Sequence, residues 1–149
     1  LKALGGTPVA MAMGDVYTAL QTGIIDGTEN NETALTTGMH GEICKFYSVD
    51  QHTMIPDVLV IATDTWEKLS EEDRQLLIDT AKESTENHIE KWEQAVAEAV
   101  ETATNDMGVT FIEDVDKEAF RSATADMIES YKSQYPKVGD VLEIINSVE

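Results

Sequence analysis

The sequence has a single cysteine, Cys44, so no disulfide can form within the chain. That fits a reducing or an oxidising compartment equally. Arginine is almost missing, with Arg74 and Arg121 the only two. Positive charge as a whole is short: 10 Lys and Arg face 29 Asp and Glu, for a formal net charge of −19. Such a surface repels phosphate backbones and anionic headgroups, which argues against nucleic-acid and membrane-surface roles. It also agrees with a salt-adapted or strongly solvated exported protein. No apolar run approaches the roughly 18 residues that a membrane-spanning helix needs. One of the two longest, residues 58–62, reads as a buried strand. There is no phosphate-binding glycine loop, and aromatics make up only 6%. No targeting segment is visible, but the chain opens at Leu1 inside what reads as a helix end, so that absence carries no weight.

What is present is one domain's worth of chain, 149 residues of which 42% are hydrophobic. Gly5-Gly6-Thr7-Pro8 breaks an opening helix, and residues 9–11 are a short strand candidate. Val16, Ala19 and Leu20 fall at helical spacing, and Gly23 stands where a C-terminal cap belongs. Residues 33–46 are mixed and read as helical, 46–49 and 57–63 as strands, and 64–69 as a short helix. Ser70 followed by Glu71-Glu72-Asp73 is the clearest helix start, with a capping hydroxyl and three acids where the helix dipole favours them. Leu77, Ala81, His88, Trp92, Val96, Ala99, Val100, Ala103 and Met107 mark one face. The predicted helix 70–107 would run about 55 Å at 1.5 Å per residue. That length predicts a helix that crosses between lobes or serves as an interaction spine. A strand over 109–112, a helix over 116–135 stopped by Pro136, and a short terminal helix complete the chain. Many helices and few strands predict an α/β lobe with an incomplete sheet.

Candidates for chemistry are thin. His40 and Cys44 lie four apart and could share a helix face, as metal ligands do, but no second pair with metal spacing follows, so ordinary packing is the better reading. His88 sits on the apolar stripe of the long helix and reads as a hydrogen-bonded packing residue. Cys44, between Ile43 and Lys45, has no activating partner. The acidic clusters at 71–73 and 113–114 read as helix starts and solvated surface. No catalytic residue, metal or cofactor is expected.

The segment 8–31 is different, because it gathers Pro, three Gly and paired Asn around one short helix. From Gly6 and Pro8 through Met13, Asp15-Val16-Tyr17, Ala19-Leu20-Gln21, Gly23, Asp26-Gly27 and Glu29-Asn30, it resembles the signature of the TRAP transporter solute-binding proteins, the DctP family. Lys45-Phe46-Tyr47, His52, and Trp66-Glu67-Lys68-Leu69-Ser70-Glu71-Glu72-Asp73 extend the resemblance over essentially the whole chain.

The resemblance implies an α/β fold: the second lobe of a two-lobed, periplasmic-binding-protein-like (Venus flytrap) protein, with the long helix 70–107 spanning the lobes. Residues 1–149 would be the C-terminal lobe and the N-terminal lobe would lie outside the chain. The implied task is periplasmic, or at least extracytoplasmic: binding a small organic acid and handing it to membrane-embedded TRAP permease subunits. The resemblance also implies that the arginine holding the ligand carboxylate lies just upstream of Leu1; neither Arg74 nor Arg121 is near the signature. Carried over by position, Asn30 lines the ligand cleft and Met13 stands where an aromatic commonly packs on the ligand. Asn31 and His52 resemble the branch that binds sugar acids such as hexuronates, since amide and imidazole groups both donate and accept. Plainer roles remain open for both: a helix N-cap for Asn31 and a strand-end hydrogen bond for His52. Two other classes also stay open. One is a helical interaction module that forms a homodimer through the long helix. The other is a metal or hydrolytic enzyme built on His40, Cys44 and His52.

Overall fold

The computed structural model describes residues 1–148. In chain order the elements are α1 (Met13–Gln21), α2 (Thr33–Thr37), β1 (Phe46–Ser48), α3 (Thr63–Trp66), α4 (Glu71–Asn105), β2 (Thr110–Ile112), α5 (Lys117–Gln134) and α6 (Pro136–Asn146), with 3-10 turns at Lys2–Leu4 and His40–Glu42. The chain divides into two compact units. One comprises Leu1–Met11, Ser48–His52 and the chain from Ile112 onward; the other comprises Ala12–Tyr47 and Thr53–Phe111.

The second unit holds the core. Val16, Ala19 and Leu20 of α1 are buried, as their helical spacing predicts. The helix ends at Gly23, whose positive φ of 72° closes a Schellman turn. There the Ile24 N–H donates to the Ala19 carbonyl at 2.9 Å and the Gly23 N–H to that of Leu20 at 3.2 Å. Leu35 of α2, Ala103 of α4 and Val109 form the buried cluster, with Tyr47, Met107 and Phe111 packed against it. Small residues at 99 and 103 let α2 come close to α4, and Ala103 is completely buried. After α4, Gly108 turns at φ 68°, and the Val109 N–H returns to the Ala103 carbonyl at 2.9 Å. The chain then enters β2. β1 and β2 form a two-stranded sheet. The Thr110 N–H donates to the Lys45 carbonyl and the Val49 N–H to that of Ile112, so the bonds advance in one direction along both strands and the pair is parallel.

Ser70 caps α4 as expected, accepting from the Asp73 N–H at 3.1 Å. The helix has 35 residues, two or so fewer than its predicted bounds at the far end, and lies wholly in the second unit. Its predicted apolar face is buried only near its C-terminus, at Ala99 and Ala103. Leu77 and Trp92 are exposed, and so is His88, which stacks on Trp92 at 6.3 Å instead of sitting in packing. Arg74 ties the N-terminal end to α3: its guanidinium donates to the Trp66 and Glu67 carbonyls at 2.8 and 2.9 Å and lies 5.6 Å from the Trp66 ring.

Two strand expectations fail for one reason. Residues 9–11 and 57–63 are in no strand, Thr63 opening α3 instead, and Val58, Leu59 and Val60 are exposed. β-branched residues favour a strand only when a neighbouring backbone pairs with it, and the sheet among the described residues contains only β1 and β2. In the first unit, Asp116 caps α5 through the Ala119 N–H, and Pro136 opens α6 at its first position instead of merely stopping α5. α5 packs beside α6 and the opening 3-10 turn. No helix among the described residues is long and apolar enough to cross a membrane.

Candidate functional site

A cavity of about 420 Å³ opens in the second unit beneath the loop that follows α1. Its lining includes Asp26, Thr28, Asn30, Asn31, His40 and Lys45, with Leu35, Phe46 and Tyr47 on the apolar side. The volume lies in the range of small-molecule sites, roughly 300–1,000 Å³.

Asn30 and Asn31, two of the four predicted site residues, line this cavity and are exposed. The Asn30 carbonyl accepts from the Tyr47 hydroxyl at 3.0 Å, and its side-chain oxygen accepts from the Asn31 N–H at 2.9 Å. Its amide also reaches the Met13 sulfur at 3.7 Å, a weak contact that brings Met13, another predicted site residue, beside Asn30. Asn31 does not cap α2 through its side chain: its oxygen accepts from the Thr33 hydroxyl at 2.6 Å, while its backbone carbonyl takes the Ala34 N–H. His52 belongs to the first unit, where its Nδ1 lies 2.9 Å from Asp50.

Residue pattern alone missed the cavity's floor. His40 is the buried polar residue there, 2% exposed, and burial pushes its pKa below the ordinary histidine value. Cys44 also lines the cavity, and burial raises its thiol pKa against a weaker opposing effect of Lys45, so it stays protonated and unreactive. The Lys45 ammonium is held by the Gly41 and Met107 carbonyls, each at 2.8 Å, pinning the 3-10 turn to the end of α4. The i, i+4 spacing of His40 and Cys44 was the available signal; it superficially suits a metal, reads better as ordinary packing, and gives no sign of a pocket wall. No cluster of three metal-ligating side chains exists among the described residues. Neither arginine lines the cavity. Arg74 is spent on α3 and Arg121 pairs with Glu118 at 3.3 Å.

The family model of bacterial extracellular solute-binding proteins, family 7 (DctP), matches residues 1–134. The chain belongs to this family. It is 40% identical over 134 residues to the protein YiiZ of Salmonella typhimurium, a match that takes in 90% of this chain and 41% of that one. Among solved structures, a TRAP periplasmic solute-binding protein of Anaerococcus prevotii with bound α/β-D-glucuronate superposes with a TM-score of 0.89 at 40% identity, covering 97% of this chain and 46% of that one. One of Roseobacter denitrificans with bound β-D-glucuronate gives 0.92 at 34% identity, covering 99% and 49%. The backbone is therefore that of the α/β, two-lobed TRAP binding proteins over the part that it represents. The chain spans a little under half the length of each of these relatives.

Proposed function

We propose that this chain is the C-terminal lobe of an extracytoplasmic solute-binding component of a TRAP transporter. It captures a sugar acid, a hexuronate in preference to a C4-dicarboxylate, and delivers it to the membrane permease without any enzymatic step. The supporting observation is the cavity bounded by the Asn30-Asn31 turn of the family signature, in a chain whose solved relatives hold D-glucuronate. Met13, Asn30, Asn31 and His52 are the proposed ligand-side residues. Amides and imidazole suit a ligand rich in hydroxyls, because each can donate and accept. A carboxylate calls for a guanidinium fork. Arg74 and Arg121 are both engaged elsewhere, so the anion anchor belongs to the rest of the intact protein. Capture then works by closure of two lobes, with the ligand favouring the closed state through its extra contacts there.

Calorimetric titration with D-glucuronate, D-galacturonate and succinate tests this. The intact protein is expected to bind a uronate more tightly than succinate, and the 149-residue chain to bind it at least about tenfold more weakly, as loss of a charged hydrogen-bonded anchor implies. Equal affinity of the two would refute the missing-anchor argument, and no uronate binding by the intact protein would refute the ligand class. The exposed Leu76, Leu77, Ile78, Ile89 and Trp92 of α4 favour a second reading, pairing of two copies through this helix. Light scattering over a concentration series decides it: a constant monomer mass rules it out.

A further inference from the structure

His40 has a property that packing alone does not explain. Among the described residues it is the buried polar side chain, and it lines the cavity. Neither ring nitrogen has a hydrogen-bond or ion-pair partner among those residues, and no side-chain nitrogen or oxygen sealed from solvent lacks one. The imidazole belongs to the cavity lining and its hydrogen-bonding capacity is not met within the described residues. A neutral ring offers one donor and one acceptor, the complement of an alcohol. The charges around it fit the same ligand group. Asp26 on the lining accepts from hydroxyls and repels carboxylates, and two donors of Lys45 are already committed to backbone carbonyls.

We propose that His40 is a ligand-contacting, specificity-determining residue whose neutral imidazole hydrogen-bonds a hydroxyl of the bound sugar acid. The cavity is thereby selective for polyhydroxylated acids over hydroxyl-free dicarboxylates. The inference rests on the solute-binding reading above and extends it to a residue outside the family signature. Its physical basis is asymmetric: a ligand with a hydroxyl satisfies the ring, whereas one without it seals a polar group away from water unpaired. Selection is thus built from the penalty on the wrong ligand as much as from attraction to the right one.

The test uses the intact protein, titrated by calorimetry with D-glucuronate and with succinate, as wild type, His40→Phe and His40→Asn. His40→Phe is expected to weaken glucuronate binding roughly 10- to 100-fold, as loss of a buried hydrogen bond does, and to strengthen succinate binding, because the penalty of sealing an unpaired ring is gone. His40→Asn, which keeps a donor and an acceptor, should recover part of the loss. Unchanged glucuronate affinity in a folded His40→Phe variant overturns the inference while leaving the solute-binding reading intact. If wild type binds no sugar acid, both fall together. Should His40→Phe not fold, the imidazole nitrogen resonances of His40 in the wild-type protein serve instead. They must move on saturation with glucuronate, and resonances that stay put overturn the assignment.

Discussion

At the residue scale, burial alone shifts the titration of His40. Burial lowers its pKa, so the folded state holds the neutral ring and the unfolded state takes up the proton first. The unfolded state therefore binds more protons as pH falls below the ordinary histidine value of about 6.5, and stability drops there; above that value the contribution is constant. Thermal unfolding between about pH 7 and pH 5, above the carboxylate range, should show a falling Tm for wild type and a flatter profile for His40→Phe. Parallel profiles would mean that the ring titrates without cost in the folded protein. The legibility of the site follows the same physics. Asn30 and Asn31 stand out in the sequence because they sit in a long fixed pattern, and both line the cavity. The burial of His40 does not, because spacing shows which residues share a face and not that a ring will be buried beside a void. His52 pairs with Asp50, two residues away, a contact that the signature does not specify.

At the element scale, legibility tracked how local the determining interactions are. The start of α4 was readable because its determinants lie within four residues: the Ser70 hydroxyl takes the Asp73 N–H, and Glu71, Glu72 and Asp73 face the positive end of the dipole. The Schellman close of α1 at Gly23 was readable for the same reason. The strands expected at 9–11 and 57–63 were not, because a strand is defined by a partner that its own residues cannot specify. His88 shows the limit for helices. Periodicity places it on the apolar stripe, but nothing among the described residues covers that stretch, so it stacks on Trp92 in the open. Capping makes α4 testable independently of its packing. Ser70→Ala should destabilise the protein by about 0.5–2 kcal/mol, and Ser70→Asp, which restores an acceptor, by much less. Chemical denaturation monitored by helical circular dichroism measures both. An alanine variant as stable as wild type would show that the acidic first turn holds this end without the hydroxyl.

At the scale of the whole molecule, the governing feature is unneutralised charge. Against a net charge of −19, the Lys and Arg ion pairs among the described residues are two exposed i, i+3 contacts, Arg121 to Glu118 and Lys132 to Glu129. Exposed pairs of this kind contribute little. Lys45 and Arg74 are turned inward onto backbone carbonyls, where they fasten elements together without balancing carboxylates. The acidic surface therefore repels itself in the compact state, and the repulsion weakens as added salt shortens the screening length from about 30 Å at 0.01 M to about 10 Å at 0.1 M. Tm should rise with sodium chloride over this interval, with most of the gain complete by a few tenths molar, where the screening length falls below typical spacings between surface charges. Potassium chloride at equal ionic strength should act alike, which separates screening from ion-specific effects. A Tm that is flat or falls with salt would mean that the acids are spaced widely enough to be solvated independently. Under the proposed function the same charge matters for an anionic ligand, because a field of this sign opposes its approach and lengthens the search for the cavity. In the intact protein, association of glucuronate should therefore quicken as salt is added, opposite to the slowing seen where a basic surface steers an acid. Stopped-flow rates across the same salt series decide between the two.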